Sequence, residues 1–524
     1  MKTMLRNPIL PLLAFAAALT GCCTGTKVLP RNCGGTIRHV HLAVGSDPST
    51  QMTVSFASIP SNSPAPIAGV LVGTSPSQLH MVHMQDETGS SYNVTTVRGR
   101  ANYNGRYYSP YYHHITIDGL SPATKYYYRP VIHASAKGFE KHHVRAPGKH
   151  GHTDDELEDD ETDRRLAARR PYNGSEKECP SPDKIRSFTT APAPGPDSSI
   201  SLAFMGDLGQ FVHSEETMAR LMRSRDEMDA VILAGDLAYT GEDHRQWDTF
   251  FDFFDDYPLA ERVPMQIVPG NHDIDKLEDD DGIFLAYEHR FRMPRIKPAE
   301  LGRYNGPDGR LNMDQPPYPL PYEYGNAYYS FTYGPAKVIM VSSYSSMEPD
   351  SIQYNWILDQ LQSVKRTVTP WLLVTLHTPI YNTFGLHQKD PQIAAAKKHL
   401  EPLFVEYGVN MVFSGHIHAY LRTSNVAMGE VTPKGPMHIT VGAGGRKCEA
   451  PFKSIEPEPW VEVRDATNFG FGMFRILNQT HAMWNWIHTG QTDDRDFNEV
   501  WRSDERLPAG PGRDSVDIKN QYFL

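Results

Sequence analysis

Residues 412–420 read VFSGHIHAY, an apolar run and a glycine followed by His416 and His418 one residue apart. Residues two apart on an extended segment point the same way, so both imidazoles can enter one site. A polar turn after a buried strand has the same pattern, so the reading depends on whether other strand ends deliver similar groups. They do. SLAFMGDLG delivers Asp207, AVILAGDLAY delivers Asp236 and Tyr239, MQIVPGNHD delivers Asn271 and His272, and WLLVTLH delivers His377. Segments of helical pattern, SEETMARLMRSRDEM and QIAAAKKHLEPLFVEYG, separate such runs. Buried strands alternating with helices predict an α/β domain over residues 199–490. Side chains at the carboxyl ends of adjacent strands then converge on one sheet edge, where active sites of such domains lie. A glycine precedes Asp207, Asp236, Asn271 and His416, which predicts a sharp turn and close backbone approach at each.

Upstream the pattern changes. Short alternating runs such as QMTVSFAS, YYHHITIDGL and SPATKYYYRPVI, with turn residues between them, predict a β-sandwich over residues 34–192. A charged, Pro/Gly-rich insert at about 134–184 has no apolar periodicity and is expected to be disordered. Its histidines, His142, His143, His150 and His152, read as solvated loop residues rather than a metal site. Residues 491–524 read as a C-terminal tail. The net charge of −11 and the interspersed acidic and basic residues leave no basic footprint for nucleic acid.

Residues 1–23 carry Lys2 and Arg6, an apolar stretch too short to span a bilayer and small residues at its end, the pattern of a signal peptide. LTGC ending at Cys22 also resembles a lipoprotein cleavage box, a second reading that anchors the chain at Cys22 through lipid. No later segment is apolar enough to span a membrane. Sequons at Asn93, Asn173 and Asn478 suit a glycosylated, secreted chain. Cys33, Cys179 and Cys448 have no zinc-like spacing and leave one thiol over from any internal bridge, which permits a linked homodimer without requiring it.

The ordered set GDLG, GDLAY, GNHD, VTLH and GHIH resembles the metallophosphoesterases, and within them the purple acid phosphatases of the larger, plant-like type. Tyr239 carries the distinction, because the related protein phosphatases continue their second motif with Asp-Arg-Gly. DPSTQMTVSF and HHITIDGLSPATKYYYR are similar to that family's N-terminal domain, and GFGMFRILNQTHAMWNW to its C-terminal strands. The resemblance implies a fibronectin-III-like β-sandwich followed by a calcineurin-like catalytic domain, a β-sheet sandwich flanked by helices. It implies iron(III) on Asp207, Tyr239 and His418, a divalent ion (zinc, manganese or iron(II)) on Asn271, His377 and His416, and Asp236 as the bridge. Hard carboxylate and phenolate oxygens suit iron(III), while imidazole and amide suit a borderline divalent ion.

The implied activity is acid hydrolysis of phosphate monoesters, with a metal-bound hydroxide as nucleophile. His272 and His387, in positions resembling the family's outer histidines, are the candidates for holding phosphate and protonating the leaving group. Two departures stand out. HAYLRT puts Leu421 where relatives carry an acid, and the loop after His377 has one histidine where some relatives have two adjacent. The alternatives are a phosphodiesterase or nucleotide-cleaving enzyme on the same fold and a non-catalytic secreted glycoprotein, which the complete ligand set argues against.

Overall fold

The structure, a computed structural model, describes residues 37–60, 66–84, 89–95, 106–133, 183–240, 243–275, 283–294, 322–448, 450–491, 501–502 and 514–523. The expected signal peptide with Cys22 and Cys23, together with Cys33, Asn173, Cys179 and the four histidines of the insert, lies outside these residues.

Strands β1 (Arg38–Val44), β2 (Met52–Pro60), β3 (Ile67–Ser75), β4 (Gln78–Met84), β5 (Asn93–Thr95), β6 (Arg106–Tyr108), β7 (Pro110–Ile117), β8 (Lys125–His133) and β9 (Arg186–Thr189) build the N-terminal domain. They form a β1-β2-β7 sheet, a β4-β3-β8-β9 sheet and a β5-β6 ribbon. Leu42, Val54 and Ile117 from one sheet and Val70, Tyr128 and Phe188 from the other close a core between them. β8 and β9, the strands that flank the charged insert in the sequence, are direct antiparallel neighbours, Lys125 opposite Thr189 and Tyr128 opposite Arg186.

The second domain carries β10 (Ile200–Met205), β11 (Ala230–Leu233), β12 (Met265–Ile267), β13 (Tyr329–Tyr333), β14 (Ala336–Met340), β15 (Trp371–Thr375), β16 (Met411–Ser414), β17 (Tyr420–Ala427), β18 (Glu430–Val431), β19 (Met437–Val441), β20 (Val461–Asp465), β21 (Asn468–Ile476), β22 (His481–Gln491), β23 (Trp501–Arg502) and β24 (Asp514–Lys519). One sheet runs β12-β11-β10-β21-β22-β24, the other β13-β14-β15-β16-β19-β17-β20-β23 with β18 on β17. β10 to β12, and β14 to β16 with β19, are parallel. Alternation explains the uninterrupted apolar runs. On β15, Trp371 and Leu373 face the core between the sheets, while Leu372 and Val374 face the outer core, which the helix Ile352–Gln362 covers. The two sheets meet through aromatic rings, with Phe204 stacked on Phe413 at 3.7 Å and Trp484 5.5 Å from Phe413.

Helices α1 (Val212–Arg223), α2 (Arg245–Asp256), α3 (Leu285–Arg290) and α4 (Ile352–Gln362) pack their buried faces outside these sheets. The expected helix over QIAAAKKHLEPLFVEYG forms, but not as a regular α-helix throughout. α5 (Pro391–Ala395) passes through a π-helical turn, Ala396–Leu400, into α6 (Glu401–Glu406). Pro402 has no N–H to donate to the preceding turn, and the widened turn accommodates it.

The C-terminal segment is not a tail. β24 pairs with β22 along its length, Asp514 binds Arg422 at 2.6 Å, and Asn520 is fully buried. The short polar run DSVDIK offers too few apolar positions to announce an edge strand.

Besides its own core, the N-terminal domain adds Ala43, Tyr92 and Tyr107 to the core between the second domain's sheets. Leu42 N–H donates to the Ala260 carbonyl at 2.9 Å, and Arg290, paired with Asp248 at 3.0 Å within its own domain, donates to Tyr107 Oη at 2.9 Å across the junction. His39 N–H donates to Asp255 at 3.0 Å, and the His39 ring binds Asp252 at 3.0 Å. Burial, with Asp252 and Glu261 nearby, raises the Asp255 carboxyl from its ordinary 3.8 to about 7. Folded protein therefore holds a proton there that the unfolded chain has lost, and the stability this contributes drains away as pH rises from about 3.8 through about 7. Asp255→Asn, which keeps the acceptor and removes the charge, is expected to raise the unfolding midpoint by about 2–4 °C at pH 8 and by clearly less at pH 5, where only the first part of that loss has occurred. Thermal unfolding at the two pH values checks this.

Candidate functional site

The sequence assigns the sharp turns to glycines, but the candidate ligand residues themselves make most of them. Asp207, Asp236, Tyr239 and His416 all have left-handed backbone, with φ of 56°, 52°, 51° and 69°. Among the glycines preceding Asp207, Asp236, Asn271 and His416, only Gly235 has positive φ, at 87°. The others serve the close approach that the sequence also predicts. A Cβ on Gly270 would lie 2.1 Å from Asp236 Oδ1, and one on Gly415 2.5 Å from Asp207 Oδ2. A left-handed non-glycine residue costs about 1–3 kcal/mol and persists where surrounding contacts over-determine it. Those contacts are present. Asp207 N–H donates to the Gly235 carbonyl at 3.1 Å, Gly415 N–H to the His377 carbonyl at 2.9 Å, and His416 N–H to Asp207 Oδ2 at 2.8 Å.

The turns bring together all seven candidate metal ligands in two groups. In one, Tyr239 Oη lies 3.0 Å from Asp207 Oδ1 and 2.9 Å from His418 Nε2, with Asp207 Oδ1 to His418 Nε2 at 3.3 Å. In the other, Asn271 Oδ1 lies 3.1 Å from His377 Nε2 and 3.1 Å from His416 Nδ1. Asp236 stands against the second group, 3.4 Å from His377 Nε2. Oxygen and nitrogen ligands about 2.0–2.2 Å from a cation are themselves about 3 Å apart at near-right angles, so each triad has the spacing of one coordination sphere. Asp207, Asp236 and His377 further offer three atoms all within 4.8 Å of one another.

The electrostatics agree with this donor set. Burial disfavours charge on His377, yet the Asp236 carboxylate outweighs it and raises His377 to about 9. Burial works against the Asp236 charge as well, and His377 and His272 hold that carboxyl well below its usual range. Burial and the carboxylates of Asp207 and Asp236 push the Tyr239 phenol well up. Two buried carboxylates thus draw in whatever positive charge is available, a proton on His377 being the least of it.

His272 stands exposed beside the first triad, its ring 4.6 Å from the Tyr239 ring and its N–H donating to Asp236 Oδ1 at 2.8 Å. His387 stands beside the second, its ring 4.1 Å from the His416 ring. Several groups at the site escaped sequence reasoning. Asp273 accepts from Leu237 N–H and Gly270 N–H, both at 2.9 Å, and ties the GDLAY loop to the GNHD loop. Asp390 contacts both His387 and His416, at 2.9 and 2.8 Å. Arg446 lies over the Phe211 and Tyr239 rings at 4.7 and 5.3 Å. In the sequence Asp273 and Asp390 look like ordinary turn and helix-start residues, and only the Asp before Pro391 carries a usable signal. Leu421, the departure from the resembled pattern, is buried in the outer core under the helices. Asn93 and Asn478 are exposed.

Three sequence families match successive parts of the chain: purple acid phosphatase N-terminal domain over residues 37–144, calcineurin-like phosphoesterase over 200–420, and iron/zinc purple acid phosphatase-like protein C over 435–496. Purple acid phosphatase 18 of Arabidopsis thaliana is 34% identical over 313 residues, 60% of this chain and 64% of that protein. Probable purple acid phosphatase 20 of the same plant is 32% identical over 323 residues, 62% of this chain and 69% of its own length. The aligned region is thus just under two thirds of the first relative and just over two thirds of the second. A purple acid phosphatase from yellow lupin (Lupinus luteus) seeds shares the fold, with a TM-score of 0.63 at 19% identity over 93% of this chain and 74% of that one. With its three domain matches in order and its Tyr239-containing second motif, this chain belongs to the purple acid phosphatase family.

Proposed function

We propose that this chain is an acid phosphatase that hydrolyses phosphate monoesters at a dinuclear metal centre. Asp207, Tyr239 and His418 would hold iron(III), Asn271, His377 and His416 would hold zinc, manganese or iron(II), and Asp236 would bridge the two ions. The observation that supports this best is the division of the donors into two close triads, with an Asp236 oxygen within 4.8 Å of a donor atom in each, on Asp207 and on His377. The residue types favour the assignment, because the first triad has the anionic oxygens that iron(III) prefers and the second has imidazoles and an amide. When bound, the pair supplies positive charge to the phosphoryl oxygens and acidifies water into the neutral range or below.

The chain's own groups orient the ester and move its proton. His272 and His387 flank the two triads, so a phosphoryl group between them meets an imidazole on either side. Protonated imidazole both holds phosphate oxygen and delivers a proton to a departing alkoxide, and it is available in mildly acidic medium. The deep anchoring of Asp207 and Asp236, at 0% and 1% exposure, keeps these groups fixed while the substrate arrives. The signal-peptide pattern of residues 1–23 and the exposed Asn93 and Asn478 support a secreted glycoprotein. Among the described residues no helix is long and apolar enough to cross a membrane.

A visible absorption spectrum with metal analysis on one purified sample tests the centre, and rates on p-nitrophenyl phosphate and its bis ester test the reaction. A broad visible band lost in Tyr239→Phe, two metals per chain including iron, and faster turnover of the monoester at acidic pH are expected. Two metals without iron would overturn the iron assignment, and a preference for the bis ester would overturn the monoesterase reading. His387→Ala is expected to lower kcat by about 10²–10⁴-fold with both metals and the colour retained. Loss of colour in that variant would move His387 into the metal shell.

A further inference from the structure

Asp390 occupies the residue before α5, with Pro391 at the first helical position. An aspartate there ordinarily turns its carboxylate back to cap the first free N–H groups of the helix. Asp390 does not. Its backbone is extended, φ −63° and ψ 123°, as an N-cap's usually is, yet its side chain makes no capping bond. The carboxylate is directed instead at two histidines. Its Oδ2 lies 2.9 Å from His387 Nδ1 and 2.8 Å from His416 Nε2.

We infer that Asp390 is a positioning residue, fixing the tautomer of His416 and the orientation of His387 through one carboxylate oxygen. The inference rests on the reading of His416 as a ligand of the divalent ion. The two nitrogens of His416 face different partners, Nε2 on Asp390 and Nδ1 at 3.1 Å from Asn271 Oδ1 within the second triad. A carboxylate only accepts, so it keeps the hydrogen on Nε2 and leaves the Nδ1 lone pair for a cation. Without that acceptor, imidazole divides between two tautomers, and the one with hydrogen on Nδ1 cannot ligate. His377 has the same arrangement by another route, its Nδ1 lying 2.7 Å from the Ala234 carbonyl. His416 is 7% exposed, whereas Asp390 is 29% exposed, so the carboxylate bridges a buried ligand to the open side of the site.

His387 is held by the other half of the contact. It has left-handed backbone, φ 56°, and 40% of its side chain is exposed, so little packing fixes its ring. Nδ1–H donation to Asp390 sets the ring in place and turns Nε2 away as the free nitrogen. One oxygen thereby couples a metal ligand to the imidazole beside it, so divalent-ion retention and leaving-group handling depend on the same side chain.

The test uses wild type, Asp390→Asn and Asp390→Glu as purified, metal-loaded proteins. Each is titrated with a chelator while zinc or manganese and the iron-dependent visible band are followed separately, and kcat and KM are then measured on p-nitrophenyl phosphate. Asp390→Asn is expected to lose the divalent ion at about 10–100-fold lower chelator concentration than wild type while keeping iron and colour. Reloaded with excess divalent ion, it should show lowered kcat with KM little changed, and Asp390→Glu should recover most of both effects. The helix cap is not made by this side chain, so the unfolding midpoint of the asparagine variant should stay near that of wild type. Divalent-ion retention and kcat within about twofold of wild type in Asp390→Asn would overturn the inference. A wild-type protein that holds no divalent ion would instead overturn the dinuclear reading on which it rests, and His416→Ala retaining that ion would overturn the ligand assignment alone.

Discussion

Two carboxylates buried within a few ångströms of each other are the constraint on which the rest of this structure depends. Asp207 and Asp236 are 0% and 1% exposed and sit among imidazoles, a phenol and an amide whose donor atoms are about as close as ligands around a cation. Such a group is costly to bury unless positive charge joins it. The rise of His377 to about 9 shows the demand, since a fully buried imidazole would otherwise resist protonation. Everything near the site serves to keep these groups where they are.

The scaffold does this with two twisted sheets that meet through large aromatic rings. Parallel strands β10, β11, β15 and β16 end at one edge, and hydrogen bonds continue past their ends into the ligand loops. The left-handed turns at Asp207, Asp236, Tyr239 and His416 are therefore braced by their neighbours, which is how several kcal/mol of local strain persists in a folded protein. The N-terminal domain adds to this: it contributes Ala43, Tyr92 and Tyr107 to the same apolar core as the second domain's sheets, and its β1 docks on α2 through His39. In the proposed reaction the ions provide charge, while His272 and His387, one beside each triad, determine what the substrate meets.

Much of this was legible before any coordinates. Apolar runs ending in Asp, Asn and His specify both parallel strands and a common edge, because burial on two faces and delivery at the carboxyl end leave the same imprint in sequence. The seven candidate donors fell within such runs, and their side chains lie close together in the structure. What escaped followed from contacts at long range. Nothing local tells that Asp390 forgoes capping for two histidines, one of them 26 residues away. The assignment of turns to glycine failed because glycine is required here mainly for what approaches it, Asp236 at Gly270 and Asp207 at Gly415. β24 looked like a tail because an edge strand needs few apolar residues, and Asp514 earns its burial through Arg422 and Tyr420 rather than through hydrophobicity.

The central claim is that cations belong to this site as structural components, and the most direct measurement is the unfolding temperature before and after both ions are stripped and then restored. A ligand present far above its dissociation constant stabilises the folded state by a few kcal/mol, so stripping should lower the midpoint by several degrees and restoration should return it. Asp236→Asn should shrink that difference. A stripped wild-type protein that unfolds at the same temperature as the loaded one would contradict the account, because the buried carboxylates would then be balanced by the chain alone.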